Sequence, residues 1–158
     1  MMAASHMVVG ACAWAVAASL SGLPPHEPQA LAAATLGSLL PDIDHPNSWA
    51  GRKLKLVSVP LSLLVGHRGV THSLLAVVAG LALLGTMGVG FVAAPLVVGY
   101  LSHLAADMVT PSGVPLLWPN RRRFALPLCT TGGVVEILLV AGLAALTGWA
   151  TGIPRGIG

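Results

Sequence analysis

Between Ser73 and Ser102 the chain runs for 30 residues without one charged side chain, and that run restricts its folds more than any other feature. A single helix of that length would reach about 45 Å, well beyond the ~30 Å hydrocarbon core of a bilayer. The tract "GTMGVG" at 85–90 has three glycines near the middle of the run and supplies the turn of a helical hairpin. Two helices are therefore predicted, near 72–86 and 91–110. Charged residues make up 8% of the chain and apolar residues 55%, whereas soluble domains carry about 25% charge. The predicted class is all-α: one integral-membrane domain over residues 1–158, with about five transmembrane or partly spanning helices and a short interfacial one.

The remaining segments follow from their breaks. Met7 to Leu23 is an uncharged run of 17 residues, near the lower limit for a span. It has no basic region ahead of it, so it reads as a retained helix and not as a cleaved signal. "PPHEP" (24–28) ends it, because proline is excluded from helix interiors. Gln29 to Leu40 is apolar but has only 12 residues, or about 18 Å of helix. It is either a short helix shielded by neighbours or a re-entrant piece. "RKLK" (52–55) marks a wet loop, and Leu56 to Gly66 reads as the interfacial helix. "TPSGVPLLWPNRRRFALPLCTTGG" reads as an extended surface loop, and Gly133 to Ile153, opened by Glu136, as the last span. Cys12 and Cys129 are read as neither bridged nor metal-bound.

Charge then sets orientation. With the N-terminus in the cytoplasm of a multi-pass inner-membrane protein, Arg52, Lys53, Lys55, Arg68 and Arg121 to Arg123 all face the cytoplasm, and only Arg155 does not. The basic face is too small for a nucleic-acid surface, so no direct nucleic-acid partner is expected. The same topology brings His6, Asp42, Asp44, His67, His72, His103, Asp107 and Glu136 to the cytoplasmic end.

Ionisable groups at membrane depth cost about 2.5–3.5 kcal/mol each on insertion scales and persist where they pair, line a cavity or hold an ion. Imidazoles and carboxylates without thiolates suit zinc, manganese or iron. His103 and Asp107, four apart on a helix, share a face. Asp42 and Asp44, between Pro41 and Pro46, are expected to lie extended, point the same way and bridge two metals. The number of ligands exceeds what one tetrahedral ion needs and fits a two-metal site. Each piece also has a plainer reading. His6 would be an interfacial side chain, and His103 with Asp107 a hydrogen-bonded pair. Asp42 would be a turn cap, His45 an outer partner and His26 a loop residue. Glu136 would be a favourable first-turn charge, and Arg68 and the arginine triplet lipid-headgroup anchors.

"LLPDIDHPNS", "GHRGVTHSLLAV", "GYLSHLAADMVTPSGVPLLWP" and "RRRFALPL" resemble the signature blocks of the YdjM-type family. These are inner-membrane proteins described as metal-dependent hydrolases by inference, one of them linked to the repressor LexA. The resemblance runs from His6 to Glu136. It implies that His6, Asp42, Asp44, His67, His72, His103 and Asp107 form the metal set. "HLAAD" (103–107) also fits the H-x-x-x-D helix motif of zinc-dependent phospholipase C and its related nucleases; the other spacings differ, so that likeness is an analogy.

The expectation is thus a hydrolase with a divalent metal centre, zinc before manganese or iron and two ions before one. It would direct metal-activated water at a phosphoester of a lipid or lipid-linked substrate. Asp44 or Glu136 would be the general base, and Arg68 would grip the phosphate. The alternative is a metal-stabilised scaffold or regulator that docks a LexA-like partner through the basic loop. An ion transporter ranks last, since the far halves of the helices have no polar groups.

Overall fold

The computed structural model describes residues 1–65 and 69–152. Within them the chain forms seven α-helices: α1 (Ala3–Leu20), α2 (Pro28–Gly37), α3 (Trp49–Lys53), α4 (Lys55–Val65), α5 (Leu74–Met87), α6 (Gly90–Met108) and α7 (Val134–Ala150). Two short 3₁₀ helices, Pro41–Asp44 and Val70–His72, link them. No strand occurs among the described residues; Val114 and Phe124 form an isolated antiparallel bridge.

Among the described residues two helices are long and apolar enough to cross a bilayer, α1 with 18 residues and α6 with 19. The apolar helices α5 and α7 have 14 and 17 residues, or about 21 and 26 Å of rise. The hairpin turn forms at the glycines, with Gly88 taking the left-handed conformation (φ 66°) that closes α5.

Helix α6 is the axis of the fold, packed against α1, α2 and α5, while α7 leans on α1. Helix α2 fits between α1 and α6 because the contact residues are small. Ala30, Ala33, Ala34 and Gly37 are its buried face, meeting Trp14 and Ala18 of α1 and Val98 of α6. A Cβ on Gly99 would run into the Ala34 carbonyl, and one on Gly37 into the Leu96 carbonyl. The two backbones are therefore in contact, as small residues permit between membrane helices. This short, shielded helix brings its C-cap residue, Ser38, beside the C-terminal half of α6. Glu27 caps its start by accepting from the Ala30 N–H at 2.6 Å, and Pro28 opens the first turn.

Burial is inverted relative to a soluble domain. His6, Asp44, His72, His103, Asp107 and Glu136 are buried, whereas such groups normally face water. Leu56, Leu63 and Leu64 on α4, Val78 and Leu83 on α5, and Leu138, Leu146 and Trp149 on α7 are exposed. An apolar exterior around a polar interior is what a bilayer solvent selects. The loop after α6 does more than cross the surface. Its Leu126 and Leu128 N–H groups donate to Met108 and Val109 carbonyls at 2.6 and 3.0 Å, and its Leu116 carbonyl accepts from Leu74 at 2.9 Å. The loop thereby seals the end of the bundle where the ionisable groups lie.

Candidate metal centre

Four elements deliver the ionisable groups to one point. His6 comes from the first turns of α1, Asp42 and Asp44 from the first 3₁₀ helix, His72 from the second, and His103 and Asp107 from the last turns of α6. His67 and Arg68 lie outside the described residues. Asp42 and Asp44 are not extended, contrary to expectation: Pro41 starts a 3₁₀ helix instead. With three residues per turn, side chains two apart point about 120° from each other. The two carboxylates accordingly address opposite ends of the His72 ring. Asp42 Oδ1 is 3.7 Å from Nε2 and Asp44 Oδ2 is 3.6 Å from Nδ1.

The ring orientations follow from hydrogen bonds. His103 Nδ1 is 2.7 Å from the Ser38 carbonyl; a carbonyl only accepts, so Nδ1 carries the proton and, in the neutral ring, Nε2 presents a lone pair. On the other side, the Thr71 hydroxyl donates to Asp44 and lies 3.1 Å from His72 Nδ1. That hydroxyl and the Asp44 carboxylate both favour a proton on Nδ1, turning the Nε2 lone pair inward. The two Nε2 atoms then face each other at 3.3 Å. Two lone pairs at that separation repel unless positive charge lies between them, as a proton on one ring or a bound cation.

The remaining distances fit a cation. Asp107 Oδ2 is 3.9 and 3.8 Å from the His72 and His103 Nε2 atoms, and Asp42 Oδ1 is 3.8 Å from His103 Nε2. Ligands bound about 2.0–2.2 Å from a tetrahedral ion lie about 3.3–3.6 Å apart, so a small contraction closes the shell. His72, His103 and Asp107 form one group able to hold an ion, and His6, Asp42 and His103 another. The His6 ring stacks on His103 at 3.7 Å between centroids, with Nε2 3.3 Å from Asp107 Oδ1. That oxygen also accepts from the Met1 amino group at 2.6 Å. His6 Nδ1 is buried with no hydrogen-bond partner among the described residues, an unsatisfied nitrogen that an ion would satisfy. The donor set is therefore one that a divalent metal fits.

Outside the spanning helices the electrostatics favour positive charge at this point. Burial pushes the Asp42 carboxyl up, but the adjacent His72 ring and the nearby His103 and His6 rings hold it below the usual range. Burial pushes His72 down, yet pairing with Asp42 and Asp44 holds it above the ordinary histidine value.

Glu136 does not join the group. Its two oxygens accept the backbone N–H groups of Met2 and Gly132, each at 2.8 Å, which ties the start of α1 to α7. His26 is far away, against Thr151. Sequence reasoning did not single out Ser38, Thr71 and Tyr100, whose hydroxyl donates to the Thr71 carbonyl. The signal available for Thr71 was its place directly before His72 in "GVTHS".

Fold and cluster together define a helical membrane protein with a buried histidine–aspartate centre. The family described as YdjM inner membrane protein matches residues 1–156, and the chain belongs to that family. It is 55% identical over 101 residues to Inner membrane protein YdjM of Escherichia coli (strain K12), covering 60% of this chain and 52% of that protein. The relative of that name in Shigella flexneri matches equally, so the chain spans about half the length of these curated relatives. Uncharacterized protein YvsG of Bacillus subtilis (strain 168) is 37% identical over 142 residues, 88% of this chain and 87% of that one. No solved structure matches.

Proposed function

We propose that the cluster is the metal centre of a membrane hydrolase acting on a phosphoester of a lipid or lipid-linked substrate at the cytoplasmic interface. The observation that carries this reading is the inward-facing pair of Nε2 atoms of His72 and His103, 3.3 Å apart. His6, Asp42, His72, His103 and Asp107 are the ligands, with His67 added from its position in the motif. Two overlapping ligand groups, His72 with His103 and Asp107 and His6 with Asp42 and His103, support a site for two ions. Zinc fits the donor set best, then manganese or iron. Bound there, such ions would polarise a phosphoryl oxygen and acidify a water.

The protein's own groups hold the donors rigid and exclude bulk water. Asp44 keeps the proton on His72 Nδ1, the outer-partner role common behind metal-bound histidines, and from there offsets the positive charge that builds on the ring. Arg68 would grip the phosphate with a planar fork. Asp42, with a side chain 19% exposed, is the carboxylate through which substrate meets the centre. In the reaction the water oxygen bonds to phosphorus, the phosphorus–oxygen bond to the alcohol breaks, and the water's proton ends on the departing alkoxide.

In the same reading five helices span or partly span the membrane, with the N-terminus and both basic loops cytoplasmic. The support is that α3, with Arg52 and Lys53, packs on the 3₁₀ helix carrying Asp42, and the Arg121 to Arg123 loop is tied to the end of α6. Cysteines introduced at Lys53 and Gly158 should label from opposite faces; labelling from one face would overturn the five-span arrangement.

Burial favours a second reading. His6, His72, His103 and Asp107 are at most 1% exposed, which suits a structural ion in a scaffold. Hydrolysis separates the two. Zinc- or manganese-loaded protein should release phosphate or headgroup from phosphatidic acid or a lipid pyrophosphate, stop on chelation and resume on metal addition. Stoichiometric metal without turnover on any phosphoester would leave the scaffold.

A further inference from the structure

We propose that the groove between α5 and α6 is an alkyl-chain subsite, holding one chain of the membrane lipid whose phosphoester the centre cleaves. It rests on the hydrolase reading for its link to chemistry, though not for the binding itself. The groove has a volume of about 170 Å³ and is half-open. Ala76, Gly80 and Leu84 of α5 form one wall, at a spacing of four that keeps them on one helix face. Leu96 and Tyr100 of α6 form the other, and Leu40 lies at one end. Among the described residues that line it, Tyr100 alone has a polar side chain, and its hydroxyl donates to the Thr71 carbonyl, so the occupant must be apolar. A helix about 10–12 Å across is too wide for such a groove, whereas a single alkyl chain is not.

Position supplies the connection. Leu40 directly precedes Pro41 and Asp42, the partly exposed carboxylate of the centre. Tyr100 is one turn ahead of His103 on α6, and its bond partner Thr71 directly precedes His72. A chain in the groove would therefore deliver a headgroup at Asp42. Gly80 keeps the middle of the groove open. A Cβ there would meet nothing within 4 Å, in contrast to Gly37 and Gly99, where backbone contact excludes one.

That open space makes the test selective, since a side chain at position 80 starts into the groove and not into a neighbouring backbone. The full chain in phosphatidylethanolamine–phosphatidylglycerol vesicles, with phosphatidic acid bearing a mid-chain diazirine, should crosslink to α5 and α6. Gly80→Phe, or the milder Ala76→Leu if the first misfolds, should reduce that crosslinking at least tenfold with bound metal and melting temperature unchanged. It should also reduce kcat/KM on long-chain substrate at least tenfold and leave a short-chain, water-soluble phosphoester unaffected. Crosslinks outside the groove, or undiminished crosslinking in both variants, would overturn the subsite. Crosslinking in the groove by a protein that hydrolyses nothing would instead overturn the hydrolase reading and leave the lipid site standing.

Discussion

Asp44→Asn should lower phosphoester turnover by about 10–100-fold, the scale of losing the carboxylate behind a metal-bound histidine. Asn is nearly isosteric and can still accept from Thr71, so the fold should survive. What it lacks is the charge opposite His72 Nδ1. Changing an outer partner of this kind costs about 10–100-fold in metal affinity, so affinity should fall with turnover, and saturating metal should restore only part of the rate. Glu136→Gln is the matched control. Its carboxylate accepts two backbone N–H groups; the amide would turn an N–H₂ towards one of them, leaving a buried donor unpaired at about 1–3 kcal/mol. Melting temperature should therefore fall while turnover stays within about tenfold. The opposite pattern, with Glu136→Gln inactive at full stability and Asp44→Asn active, would make Glu136 the base.

Much of this arrangement is legible in the sequence, for reasons tied to particular residues. The uncharged run from Ser73 could not be one helix, and its glycines became the turn between Met87 and Gly90. Convergence of the histidines and aspartates followed from where each fell relative to a helix end. Helix α1 starts at Ala3 and not Met7, because His6 faces inward and so does not mark the helix boundary. Helix α2 stops at Gly37, short of Leu40, and the chain passes through Leu40, still in the right-handed helical region, into the 3₁₀ helix that Pro41 opens. Pro41 and Pro46 suggested an extended segment, but proline equally suits the first position of a 3₁₀ turn, and that turn sent Asp44 behind His72. The Ser38 carbonyl, Thr71 and Tyr100 were missed because a search for ligands looks for titratable groups, whereas ring orientation is set by neutral oxygens. The close approach at Gly99, on which the Ser38 contact depends, has no signature without a second helix beside it.

The chemistry of the centre depends on its holding metal. Purified wild-type protein should carry at least one equivalent of divalent ion per chain, and after chelation added zinc should raise its melting temperature. An ion at 100 times its Kd adds about 2.7 kcal/mol to stability. His103→Ala removes an inward nitrogen and strands the Ser38 carbonyl; Asp107→Ala removes the carboxylate shared by His6, His72 and His103. Each variant should lose more than ~100-fold in metal affinity, the upper range for outer partners alone, and should no longer gain stability from added metal, because ligand bonds in such a site are also folding energy. The direct measurement is metal content per chain, by elemental analysis, in wild type and these two variants. Stoichiometric metal in the first and loss in both others is the expected result. A wild-type protein without divalent metal, whose melting temperature neither zinc nor manganese raises, would contradict it.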